Sequence, residues 1–217
     1  MKVGTDALLL GAWCPVAGTE KKVLDIGSGC GILSLLLAQR MPWVQILGVD
    51  IHAPSIDESR ANASRSPWSQ NVSFVRQDIT KYSNPGGFDL IVSNPPYYNS
   101  QKPGFESRVV ARHQASLTTT QLMSSVDRLL SPSGTFALVM PAAQSQHWLT
   151  VAEQSGLYPQ ILTWVTHKVG TRPKRLLALF SQAKDQCNYS ELIIGTDQQR
   201  TADYRKLMAP YLWLPAS

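Results

Sequence analysis

The sequence predicts an α/β fold: a mainly parallel seven-stranded sheet with helices on both faces and a C-terminal antiparallel hairpin. Three observations carry this expectation. Short apolar runs of strand length alternate with longer segments of helical character along most of the chain, the pattern of βαβ units. A glycine-rich turn, Gly27-Ser28-Gly29-Cys30-Gly31, links the first apolar run to the first helical one. Asp50, Asp78 and Asn94 each stand at or just past the end of such a run, where ligands bind in open parallel sheets.

Taken in order, residues 23–26 read as a buried strand, followed by the glycine turn and a helix carrying Ile32, Leu33, Leu35, Leu36 and Leu37. Residues 46–50 form the second strand. Pro54 then suits a helix first turn, and Asp57 and Glu58 favour the same end. Residues 72–75 and 88–92 are the third and fourth strands. Thr118-Thr119-Thr120-Gln121 reads as a capping box that opens a helix through Leu130. A fifth strand at 134–140 and a helix at 143–155 follow, and runs at 161–165 and 176–180 close the sheet as the hairpin. The 217 residues, 43% hydrophobic and without repeats or linker-like tracts, suit a single domain spanning 1–217.

Composition narrows the function classes. The net charge of +5 fits a polyanionic partner without requiring one. Cys14, Cys30 and Cys187 are odd in number and widely spaced, with no CxxC pair or Cys/His cluster; neither a disulfide framework nor a metal site is indicated. A reducing, cytoplasmic setting is expected. The apolar residues 7–12 are too short for a signal peptide, follow Asp6, and precede Trp13. No run of about 18 apolar residues marks a membrane-spanning helix.

The glycine turn allows close backbone approach to a ligand at a helix N-terminus, and Asp50 can accept both hydroxyls of a ribose. Together they point to an adenosine-containing ligand. A dinucleotide fingerprint needs a third glycine where Ile32 stands, and no G-K-[ST] follows for a P-loop. Instead Asp25-Ile26-Gly27-Ser28-Gly29-Cys30-Gly31 resembles motif I of S-adenosylmethionine-dependent methyltransferases of the Rossmann-like class I fold. The resemblance implies that Asp25 and the glycines Gly27, Gly29 and Gly31 lie against the amino-acid end of the cofactor, and that Asp78 accepts from its adenine amino group. It carries Ile51 and Ile79, beside those acids, into the same site. A tight strand-to-helix turn is the plain alternative for the glycines alone.

Ser93-Asn94-Pro95-Pro96-Tyr97-Tyr98 ends the fourth strand. As a bare turn its composition is ordinary. Placed after a buried strand and downstream of the glycine motif, Asn94-Pro95-Pro96-Tyr97 resembles motif IV of methyltransferases acting on exocyclic or amide nitrogen. Such a nitrogen is conjugated and therefore a poor nucleophile. Asn94 and a carbonyl near Pro95 can accept its two N–H bonds and direct its lone pair at the methyl donor. Pro95 and Pro96 stiffen those acceptors, and Tyr97 offers a ring for stacking. Asn94 also touches the cofactor in this reading. No metal is implied.

The wider resemblance is to the bacterial family that methylates adenine N6 at position 37, beside the anticodon of valine tRNA. It rests on Met1-Lys2-Val3-Gly4-Thr5-Asp6, Leu9-Leu10-Gly11-Ala12-Trp13, Ser66-Pro67-Trp68, the doubled tyrosine at 97–98, Thr118-Thr119-Thr120 and Arg175-Leu176-Leu177-Ala178-Leu179-Phe180. It implies a tRNA partner and places Thr5 and Asp6 near the methionine part of S-adenosylmethionine. Their plain alternative is an N-cap and a first-turn acid. Such proteins usually carry a further stretch before the Met1-to-Asp6 motif, so a short missing leader is expected. Residues 98–117, with Lys102, Arg108, Arg112 and His113, read as a substrate-facing flap or as a solvated loop. Lys168, Arg172, Lys174 and Arg175 cluster in the turn of the hairpin, to grip RNA phosphates or simply to keep its tip soluble. A protein glutamine-N5 methyltransferase, an rRNA guanine-N2 methyltransferase and a non-catalytic binding module stand as alternatives. A monomer is expected, with no sequence signal that decides it.

Overall fold

The computed structural model describes residues 4–96, 117–196 and 198–212. Its strands are β1 (Lys22–Ile26), β2 (Gln45–Asp50), β3 (Val72–Arg76), β4 (Phe88–Ser93), β5 (Leu130–Pro141), β6 (Tyr158–Lys168), β7 (Arg175–Ser181) and β8 (Asn188–Gly195). The helices are α1 (Thr5–Trp13), α2 (Ile32–Arg40), α3 (Ala53–Ser64), α4 (Thr119–Leu129), α5 (Ser145–Gln154) and α6 (Ala202–Met208). One sheet holds all eight strands in the order β3-β2-β1-β4-β5-β7-β6-β8. Only β7 opposes its neighbours β5 and β6; the other pairings are parallel.

The seven expected strands are present, and an eighth corrects the count. In β8 the first four residues, Asn188 to Glu191, are all exposed, so no alternation betrays it. The strand is ordered by its parallel pairing with β6, from Ile161↔Asn188 to Lys168↔Gly195, and by burial of Leu192 and Ile194. The β6–β7 hairpin is therefore interior to the sheet rather than its end.

Two apolar layers sandwich the sheet, and the period of two in each strand sorts side chains between them. Val23, Leu90, Val92, Ala137 and Val139 face the layer built with α1, α2, α3 and α6, including Leu9, Leu37, Ile56 and Met208. Leu24, Ile91, Phe136, Leu138 and Phe180 face the layer of α4 and α5, with Leu122, Val126 and Trp148. Phe136 and Phe180, paired across β5 and β7, stack with ring centroids 5.9 Å apart.

Local signals match most element ends. Thr118 and Gln121 form the reciprocal capping box of α4. That helix stops at Leu129 because β5 begins immediately at Leu130, earlier than the expected strand start at 134. The N-cap of α1 is Gly4, without a side-chain bond, and Thr5 lies inside the helix; the capping alternative for Thr5 is thus set aside. Among the described residues no helix is long and apolar enough to cross a membrane.

Strand order reverses beside β1, with β2 on one side and β4 on the other. A cleft forms at such a switch point, beyond the carboxyl ends of the strands. The Ser93 hydroxyl donates to the Ile26 carbonyl at 2.8 Å, and Ile26 pairs with Ser93 in the ladder. Gly27 and Asn94 consequently leave the sheet side by side.

Candidate active site

The glycine turn after β1 is held by its own backbone. The amides of Gly27 and Ser28 both donate to the Val49 carbonyl, at 2.8 and 3.1 Å, and that of Gly31 donates to Ser28 at 2.8 Å. The Gly29 amide donates to Asp50 Oδ2 at 3.0 Å. The glycines therefore contribute shape rather than free donors. Gly27 has φ 73°, and among the described residues a Cβ placed there would meet nothing within 4 Å, so they leave its flank open. At Gly31 and Gly48 the reason for glycine is the Phe74 ring. An added Cβ would lie 2.6 Å and 2.3 Å from it, respectively. Phe74 thus packs directly against the backbone of the turn and of β2.

Asp25 sits one residue before the end of β1 and is 1% exposed. The Ser34 hydroxyl donates to its Oδ2 at 2.6 Å. Burial pushes its pKa up to about 7; the hydrogen bonds from Ser34 oppose that rise, and the nearby Asp50 charge adds to it. Ser28, in the turn that follows, is 6% exposed. Its hydroxyl is buried and meets no hydrogen-bond partner among the described residues, an orphan that a bound polar group would satisfy. Sequence reasoning passed over Ser28, although it lies within the glycine motif.

Asp50 ends β2. Its Oδ1 accepts from the His52 amide at 2.8 Å and its Oδ2 from Gly29, leaving lone pairs on both oxygens for a diol. Ile51 beside it is 44% exposed, an apolar face open to the cleft end. Asp78 caps a 3-10 turn (Ile79–Lys81): its Oδ1 accepts from the amide and hydroxyl of Thr80 at 3.0 and 2.7 Å. Those bonds hold its carboxyl below the usual range. Lys81 lies 3.9 Å from the other oxygen. Ile79 is buried against α4.

Across the cleft, Asn94 is half-buried, Pro95 buried and Pro96 exposed. Tyr97, Arg108 and Arg112 lie outside the described residues, as does most of the expected flap. Asp6 does reach the carboxyl edge, but its Oδ2 accepts from Arg175 Nε at 2.8 Å. Arg175 is the first residue of β7, paired with Pro141 at the end of β5, and not part of the turn. Lys168, Arg172 and Lys174 are exposed around that turn, on the same edge of the sheet as Asn94. Among the described residues no group of three His, Cys, Asp or Glu side chains is placed to hold a metal.

These parts divide the carboxyl edge in two. Acids and an exposed isoleucine occupy the ends of β1 to β3, and cations line the ends of β6 and β7. An adenosine-bearing cation fits the first half: a diol acceptor, an open glycine flank and an unsatisfied buried hydroxyl are all present. A polyanion fits the second.

Comparison with known proteins gives the family and the fold. Residues 3–154 match the family model of the methyltransferase small domain. The tRNA1(Val) (adenine(37)-N6)-methyltransferase of Bacteroides fragilis is 40% identical over 212 residues, covering 95% of this chain and 89% of that protein. The protein of the same name from Aeromonas hydrophila is 37% identical over 214 residues, covering 97% and 90%. Among solved structures, a predicted O-methyltransferase from Agrobacterium tumefaciens superposes with TM-score 0.72 at 15% identity, over 94% of this chain and 95% of the other. A TehB-like SAM-dependent methyltransferase from Corynebacterium glutamicum does so with TM-score 0.54 at 21% identity, over 84% and 89%. The structural matches establish the class I methyltransferase fold.

Proposed function

The chain belongs to the methyltransferase small domain family, among the tRNA1(Val) (adenine(37)-N6)-methyltransferases, and from that premise we propose that Asn94 presents the adenine amino group to S-adenosylmethionine held between β1 and β4. The reaction is methyl transfer to N6 of adenine 37 in tRNA1(Val). Such a substrate supports a cytoplasmic setting. The single observation behind the site assignment is the lock between Ser93 and Ile26, which sets Asn94 beside the open flank of Gly27.

When bound, S-adenosylmethionine supplies an electrophilic methyl group on a sulfonium centre. The chain supplies the rest. Asp50 accepts the ribose hydroxyls with its remaining lone pairs, and Ile51 flanks the adenine, whose amino group donates to Asp78; Ile79, buried against α4, supports that end from beneath. Gly27 permits close approach, and the Ser28 hydroxyl and Asp25 face the amino-acid end. Thr5 borders that end from α1, while Asp6 acts indirectly through Arg175.

On the substrate side the target base leaves its stack to reach Asn94 at the end of β4. Asn94 Oδ1 and the Pro95 carbonyl accept from the N6 amine, weakening its conjugation and aiming its lone pair. Tyr97 stacks on the base, and Pro96 fixes the chain between them. The amine proton leaves to solvent after transfer, so no strong base is required. Lys168, Arg172 and Lys174 hold phosphates on the neighbouring edge, joined by Arg108 and Arg112 from the segment after β4. Arg175 is assigned to the fold instead, because Asp6 already holds it.

Labelled methyl donor incubated with total tRNA, with DNA and with release-factor protein tests the reading. Label in tRNA that digests to N6-methyladenosine is the expected result. Label confined to protein would overturn it.

A further inference from the structure

We propose that Arg128 is a positioning residue for the adenine end of the cofactor pocket, acting through the 3-10 turn that carries Asp78. The proposal rests on the reading of Asp78 given above. Arg128 lies in the last turn of α4, where a cation is commonly explained by the helix dipole alone. Here its guanidinium reaches away from its own helix. Nη1 donates to the Tyr82 carbonyl, and Nη2 donates to the Ile79 carbonyl at 3.2 Å and more weakly to that of Thr80 at 3.5 Å.

Those three carbonyls belong to a single short turn, the one that Asp78 opens. Asp78 holds the amino end through Thr80, and the Lys81 and Tyr82 amides close it at 3.1 and 3.3 Å. The carboxyl end of a short helix leaves carbonyls without intrahelical donors. Arg128 supplies donors to those of Thr80 and Tyr82 from a second element, and adds one to the Ile79 carbonyl that the Tyr82 amide already reaches. The turn is also seated apolarly, since Ile79 shares a buried cluster with Leu122, Val126 and Leu129 of α4. Packing therefore sets where the turn sits, and Arg128 sets how it is rotated. The planar fork of arginine can span several carbonyls, which the point charge of lysine cannot.

Rotation matters because the oxygen of Asp78 that Thr80 does not bond must meet an amino group in the adenine plane. A loose turn spreads that oxygen over positions that do not bond. The adenine end should lose affinity while the methyl-transfer geometry at Asn94 stays intact.

The test is calorimetric titration of adenosine and S-adenosylhomocysteine into the full chain, with Arg128→Ala, Arg128→Lys, Asp78→Asn and the double variant Arg128→Ala/Asp78→Asn. Arg128→Ala should weaken both ligands by about tenfold, with Arg128→Lys intermediate and the kinetic loss falling on KM for the donor rather than on kcat. In the Asp78→Asn background the further loss should shrink below about twofold, as coupled sites require. An undiminished loss in that background, or affinity unchanged in both Arg128 variants while Asp78→Asn weakens it, would overturn the role of Arg128 and leave that of Asp78 standing. Unchanged affinity in Asp78→Asn would remove the reading of Asp78 and the proposal with it. Should Arg128→Ala fail to fold, Arg128→Lys carries the same comparison.

Discussion

Replacing Asp25 by asparagine should stabilise the free protein at alkaline pH and leave it nearly unchanged in acid. The carboxyl is 1% exposed, and burial raises its pKa from 3.8 to about 7. A raised carboxylate pKa means the folded chain keeps a proton that the unfolded chain releases. Between pH 3.8 and about 7, stability from this group therefore falls as pH rises, by about 1.4 kcal/mol per pH unit. Over the whole interval, the loss is about 4 kcal/mol. The side-chain carbonyl in Asp25→Asn would still accept from Ser34, whose hydroxyl bonds Asp25 at 2.6 Å, but would carry no charge. Urea unfolding of both proteins from about pH 4.5 to 8.5 reads the difference directly, since groups common to both cancel. A gap that opens with rising pH and levels off near pH 7 is expected. A gap that is constant, or that closes with pH, would refute the buried-acid argument. The cofactor sharpens the same test: if its ammonium faces Asp25, saturating S-adenosylhomocysteine should recover stability in the native protein at about pH 8. Its affinity should then rise with pH through about 7.

Three further outcomes can be checked. Asn94→Ala should lower kcat by about 10²-fold or more, as the loss of an electrostatic acceptor implies, with S-adenosylhomocysteine binding retained; a collapse of that binding would show that Asn94 serves the cofactor instead. Gly48→Ala pushes a Cβ to 2.3 Å from Phe74 and should cost about 1–3 kcal/mol of unfolding free energy, recovered in part by Phe74→Leu, as measured by denaturant midpoints. Exchanging Lys168, Arg172 and Lys174 for glutamine should reduce the slope of log affinity for tRNA against log salt by about 2 to 3; an unchanged slope would take the β6–β7 turn off the RNA surface.

Seven strands were legible because each is buried on at least one face and is written in runs such as Leu90-Ile91-Val92. β8 was not, since half of it faces water and only pairing with β6 orders it. Within the site, the chemistry of Asp50 and Asn94 could be read from residue type at a strand end. The same reasoning could not show that the amides of Gly27 and Gly29 are spent on Val49 and Asp50. Nor could it foresee that Arg175, expected among phosphate ligands, and Asp6, expected near the cofactor, bond each other at 2.8 Å across 169 positions of chain. Arg128 showed no signal at all, because a basic residue in a last helical turn is ordinary.

Local pattern alone thus determined the α/β class, the glycine turn, the capping box of α4 and the asparagine that ends β4, since each depends on neighbours a few residues away. Which donors remain free, which charges are already paired and which side chain supports the turn at Asp78 were decided only by tertiary structure. Those properties depend on hydrogen bonds between segments far apart in the chain, and each bond is set by the register and burial that the finished sheet imposes.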